Sequence, residues 1–195
     1  MLGLNNTISS LGTSSSAVIA SRESGGSGSS EPDPLFLSSV IPANFFTPDS
    51  IQGTLSLTAD QSAPDGSRGW LKGVFSQDQT SFSGLLHNDF DGDITGGLVS
   101  GDSYKISFDF FLNSGTNGNG ETFWPSAPTT TTMSLGGRGP NQDISPGSAT
   151  LWEQTLSSIN RPDYNDLYIF WNYPSSDRPH AGATFYMKNL KVVAA

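Results

Sequence analysis

The sequence predicts an all-β protein, an antiparallel β-sandwich preceded by an extended N-terminal arm. Three observations carry that expectation. Short segments rich in β-branched and aromatic residues recur along the chain, separated by clusters of Gly, Pro, Asn and Asp. No window carries a helical stripe of useful length. The texture also changes near residue 35, from Ser- and Gly-rich to alternating. The expected organisation is therefore an anchoring arm and linker over 1–34 and a sandwich over 35–195.

The arm holds Leu2, Leu4, Ile8 and Leu11, then Val18 and Ile19, each set among Ser, Thr, Gly or Asn. "SGGSGSS" has the composition of a flexible linker, and "EPDP" blocks helix. Such a segment buries too little apolar area to offset an ordering cost of about 1–2 kcal/mol per residue. Its two apolar clusters are therefore expected to gain order by docking on a partner. Within the sandwich, strands are expected at 54–59, 70–76, 104–112, 129–135, 151–156, 167–173 and 184–193. "YKISFDF" sets Tyr104, Ile106, Phe108 and Phe110 on one face and Lys105, Ser107 and Asp109 on the other, the pattern of a half-buried strand. "SAPDGSRG", "NSGTNGNG" and "GGRGPNQDISPG" read as loops.

Composition excludes several functions. The chain of 195 residues carries a formal net charge of −9, which disfavours contact with nucleic-acid phosphates. It has no cysteine, so a disulfide framework, a thiol nucleophile and a thiolate zinc site are all ruled out. No apolar run is long enough for a membrane span, and the opening lacks the basic start and apolar core of an export signal. His87 and His180 are expected in loops, outside any nucleophile motif, and no Gly-x-Ser-x-Gly elbow or His-Glu-x-x-His helix occurs. The expectation is a protein that is not an enzyme.

"HNDFDGDITGG" offers Asp89, Asp91 and Asp93 at alternate positions, a pattern that can wrap a Ca²⁺ ion in oxygens. The EF-hand spacing is incomplete, and Asp-Gly is equally a two-residue turn, so a cation site and a plain acidic turn both stand.

Three stretches, "GGLVSGDSYKISFDFFLNSG", "ATLWEQTLSS" and "DLYIFWNYPSSDRPHAGATFYMKNLKVV", resemble the family-4/9-type carbohydrate-binding module over about half the chain, residues 95–193. The resemblance implies a jelly-roll sandwich, of a kind also met in tailed-phage virion proteins. The family binds sugars by stacking rings on exposed Trp and Tyr. No aromatic pair carries over from the family. By its own context Trp124, in the loop "ETFWPSAP", is the expected exposed aromatic, suited to a sugar or a subunit contact. Trp70, open to either face, is a second candidate, whereas Trp152 and Trp171 read as core anchors. The family usually has Asp where this chain has Lys188, and its structural calcium often depends on a carboxylate in this region, so the resemblance does not carry that site over.

The opening "MLGLNNTISS" is similar in texture to the starts of structural proteins of marine and cyanobacterial phages. Together with the arm, the expected function is a non-enzymatic virion protein. It would be a capsid decoration or cement protein, made in the host cytoplasm and assembled as a homotrimer, with Leu2, Leu4, Ile8, Leu11, Val18 and Ile19 docking on the major capsid protein. The alternative is a tail or fibre appendage that binds host surface glycan.

Overall fold

The computed structural model describes residues 32–80, 83–125, 129–135, 142–157, 166–171 and 178–195. The arm residues Leu2, Leu4, Ile8, Leu11, Val18 and Ile19 lie outside the described residues. Eleven strands are present in the described part: β1 (Phe36–Ser38), β2 (Thr47–Asp49), β3 (Leu55–Gln61), β4 (Trp70–Phe75), β5 (Ser83–His87), β6 (Tyr104–Leu112), β7 (Thr129–Leu135), β8 (Gln142–Ile144), β9 (Ala149–Leu156), β10 (Leu167–Trp171) and β11 (Thr184–Ala194). Among the described residues the one helical element is a single 3-10 turn, Phe90–Asp93.

The strands form two antiparallel sheets. One runs β3-β4-β11-β6-β9, with β1 paired to the far end of β11; the other runs β2-β5-β10-β7-β8. Ile106, Phe108, Phe110, Trp152, Phe185 and Met187 from the first sheet share one buried cluster with Leu85, Ile144, Leu167 and Ile169 from the second. This is the expected jelly-roll-like sandwich, and the alternation in β6 places its faces as predicted. The odd residue out is Phe111, which is buried on the opposite face.

A bulge keeps β11 in phase. Its pairing to β6 shifts between Lys188 and Lys191, where Asn189 takes a φ of 55°. The extra residue lets Met187 and then Leu190 and Val192 all face the core, although their spacing is odd. Asn189 closes the irregularity by donating from Nδ2 to Asp109 Oδ2 at 2.6 Å.

Four strands depart from the sequence expectation. β1, β2 and β8 have three residues each, too few to show alternation, and β8 lies in the stretch read as a loop. β5, "SGLLH", runs through a central position of its sheet between β2 and β10, and its Gly84 hides the pattern.

Trp124 anchors the loop after β6 rather than standing out from it. The side chain is 2 % exposed, packs edge-on to Phe75 at 6.0 Å, and donates from Nε1 to Asn113 Oδ1 at 2.8 Å. The same oxygen accepts the backbone N–H of Thr184 at 2.8 Å. Asn113→Ala therefore removes the acceptor of two N–H groups at once. The expected cost is about 1–3 kcal/mol, read as a lower urea midpoint with an unchanged m-value.

Candidate functional site

Trp124 and Trp70 were expected as sugar-stacking aromatics, and the structure corrects both. Trp124 is buried as described, and Trp70 is 1 % exposed on the outer face of the first sheet. There the loop 62–69 folds over Trp70 and fastens to it, with Nε1 donating to Ser67 Oγ at 2.8 Å. Tyr186 meets the indole edge-on at 6.4 Å, and the Lys188 amine sits 4.3 Å from its ring centre. Neither indole offers a free face. Trp152 is a fully buried anchor, 4.7 Å from Phe108, as expected. The side chain of Trp171 lies outside the described residues.

Asp89, Asp91 and Asp93 do not converge. The 3-10 turn spreads them: Asp89 caps it with a φ of 56°, Asp91 turns inward to accept the Leu98 backbone N–H, and Asp93 Oδ2 meets His87 Nε2 at 2.9 Å. His87 ends β5 rather than lying in a loop, its ring packed edge-on to Phe45 and Phe90. The surroundings of Lys188 suit a cation no better. Lys188 brings an ammonium, and the nearby Asp109 carboxylate is bonded to Asn189.

The outer face of the second sheet holds a different arrangement. In β10, Leu167 and Ile169 are buried in the core, so the period of two turns Tyr168 outward, where it is partly exposed. Tyr168 pairs with Leu86 of β5 on one side and Ser134 of β7 on the other. Its ring crosses β5 above Gly84: a β-carbon built there would lie 2.6 Å from Cε2 and 2.7 Å from the hydroxyl oxygen. The hydroxyl then reaches β2, donating to Asp49 Oδ2 at 2.6 Å. Asp49 is itself the register partner of Gly84. Three adjacent strands thus fix one aromatic ring: β10 supplies it, the side-chain-free Gly84 lets it lie down, and Asp49 ties its tip.

Burial, with the hydrogen bond to Asp49 and that residue's negative charge, pushes the Tyr168 phenol well above its ordinary value of 10.0. The phenol is therefore a neutral donor throughout the neutral range. Above pH 10 the unfolded chain ionises first, and stability from this contact is then lost as pH rises. The partly exposed ring adds apolar surface to this face of the sheet. Asp49 beside it is a carboxylate acceptor for hydroxyl donors.

No family model and no curated protein matches the chain. Solved structures do. The chain is similar to the CBM22-1 xylan-binding domain of Paenibacillus barcinonensis Xyn10C, with 12% identity and a TM-score of 0.51, over 84% of this chain and 96% of that one. It is also similar to the C-terminal family 22 carbohydrate-binding module of Clostridium thermocellum Xyn10B, with 14% identity and a TM-score of 0.50, over 85% and 97% of the two chains. The arabinose-bound MgGH51 α-L-arabinofuranosidase matches at 13% identity and a TM-score of 0.53, over 83% of this chain and 27% of that one. The fold is that of carbohydrate-binding modules. At these identities the likeness is one of fold alone, which is the level at which the sequence resemblance holds.

Sequence reading missed Tyr168. The alternation in "DLYIFW" separates it from Leu167 and Ile169, but nothing local marks which face is outside. The glycine within "SGLLH" was the available signal, since a strand glycine often marks a close approach.

Proposed function

We propose that the sandwich is a non-catalytic glycan-binding module, with the outer face of the β2-β5-β10-β7-β8 sheet as its binding surface. The observation that carries the reading is Tyr168, laid over Gly84 and tied to Asp49. Sugar rings combine an apolar C–H face with hydroxyls around the rim, and a flat aromatic beside a carboxylate complements both. The sandwich fold shared with carbohydrate-binding modules supports the reading. The net charge of −9 favours a neutral glycan over an anionic one. The test is a polysaccharide array, xylan included, probed with the full chain and with Tyr168→Ala. Retention of at least one neutral polysaccharide by the parent chain, lost in the variant, is the expected result. Equal retention by both would reject this face.

A second reading concerns residues 1–34. Their Ser- and Gly-rich composition, with apolar residues in two groups, fits an arm that docks on a neighbouring subunit, and a capsid decoration protein is the assembly in which that arm would act. This reading draws its support from composition. Deleting 1–30 should then leave folding intact and abolish particle occupancy, and hundreds of copies per particle would separate a shell role from a tail appendage.

A further inference from the structure

One group of side chains has no part in the function proposed above. Asp78 follows β4, Glu121 lies in the loop after β6, and His180 precedes β11. Their ligand atoms all lie within 4.8 Å of one another, and among the described residues no other group of three metal-ligating side chains does so. His180 Nδ1 stands 3.4 Å from Asp78 Oδ1 and 3.6 Å from Glu121 Oε2. That nitrogen is shielded from solvent and has no hydrogen-bond partner among the described residues.

The separations decide what the group suits. A hydrogen bond to a carboxylate would bring nitrogen and oxygen to about 2.7–2.9 Å. A tetrahedral cation with bonds of ~2.1 Å instead sets its ligand atoms about 3.4 Å apart. Both nitrogen–oxygen distances match the second figure, and the nitrogen is the atom left without a hydrogen bond.

The loops are held in place without any ion. Gln79 N–H donates to Pro179 O at 3.0 Å, His180 N–H to Phe123 O at 3.0 Å, and Ala181 N–H to Asp78 Oδ1 at 2.8 Å. Asn117 Nδ2 donates to Glu121 Oε2 at 2.9 Å, and Phe123 packs on Gly182. The three ligands therefore come from pre-arranged backbone. One imidazole nitrogen and two carboxylates are a donor set for a borderline divalent cation rather than for calcium, which prefers six to eight oxygens.

We propose that Asp78, Glu121 and His180 bind a zinc-class divalent cation that staples the loops at 76–80, 113–125 and 178–183. The remaining coordination is open to water, because both carboxylates are exposed.

The test uses the full chain, stripped with chelator and titrated with Zn²⁺ by calorimetry and thermal melting, with Ca²⁺ in parallel. Zinc at ~100-fold above its Kd should raise Tm by about 5–10 °C, and Ca²⁺ should not. His180→Gln should weaken zinc binding by at least about 100-fold. Asp78→Asn should weaken it too, and circular dichroism of the metal-free variants would show that the fold is retained. His87→Gln is the control for the separate His87–Asp93 pair and should bind zinc as the parent does. The proposal is overturned by no zinc binding at millimolar concentration, by binding that survives His180→Gln, or by binding lost only in His87→Gln. None of these results bears on glycan retention by Tyr168, so the two readings fail separately.

Discussion

Gly73→Ala is expected to destabilise the sandwich by about 3 kcal/mol or more, lowering Tm by roughly 6–12 °C. Gly73 in β4 is the register partner of Phe185 in β11, and a β-carbon added there would lie 2.1 Å from Phe185 Cζ. The ring has nowhere to retreat. It stacks on Phe110 at 6.0 Å with planes 9° apart, and meets Phe75 edge-on at 6.2 Å. A methyl group can enter only if this set repacks, and close-packed interiors resist that. Gly118→Ala is the contrast, since an added β-carbon there meets nothing within 4 Å. Thermal and urea unfolding of both variants checks the pair. Equal stability would mean that Phe185 does not fill the space left by Gly73.

The second large effect concerns binding. Tyr168→Ala removes the only described aromatic shown to lie across the outer face of the second sheet, and affinity for a retained glycan should fall about 30-fold or more. Tyr168→Phe keeps the ring but loses the donor to Asp49, so it should fall between the parent and the alanine variant. Folding should survive both changes, because the ring rests outside the core formed by Leu85, Leu167 and Ile169. A variant that binds as the parent does would place the sugar elsewhere.

The strands that alternate over seven or more residues were legible in the sequence, because burial on one face writes a period of two into the chain. β6 and β9 are examples. The three-residue strands were not legible, since their pairing is set by neighbours far along the chain: β1 at 36–38 pairs with 190–192 of β11. Trp124 and Trp70 were misplaced for a related reason. A tryptophan beside glycines and prolines looks exposed until the oxygen of Asn113 or the fold of the 62–69 loop is known. The candidate site has the same character. Tyr168 and Asp49 are 119 residues apart in sequence, and Asp78, Glu121 and His180 come from three different loops. No spacing rule joins such residues. The acidic triplet at 89–93 shows the converse, for its regular spacing was dissolved by a 3-10 turn that sends each carboxylate a different way.

The most direct measurement is a backbone amide chemical-shift titration of the ¹⁵N-labelled full chain with a polysaccharide fragment it retains. Shifts centred on Gly84, Leu86 and Tyr168, with Asp49 beside them, are the predicted result. Shifts confined to the loops around Asp78, Glu121 and His180, or to the first sheet, would contradict binding at the Tyr168 face.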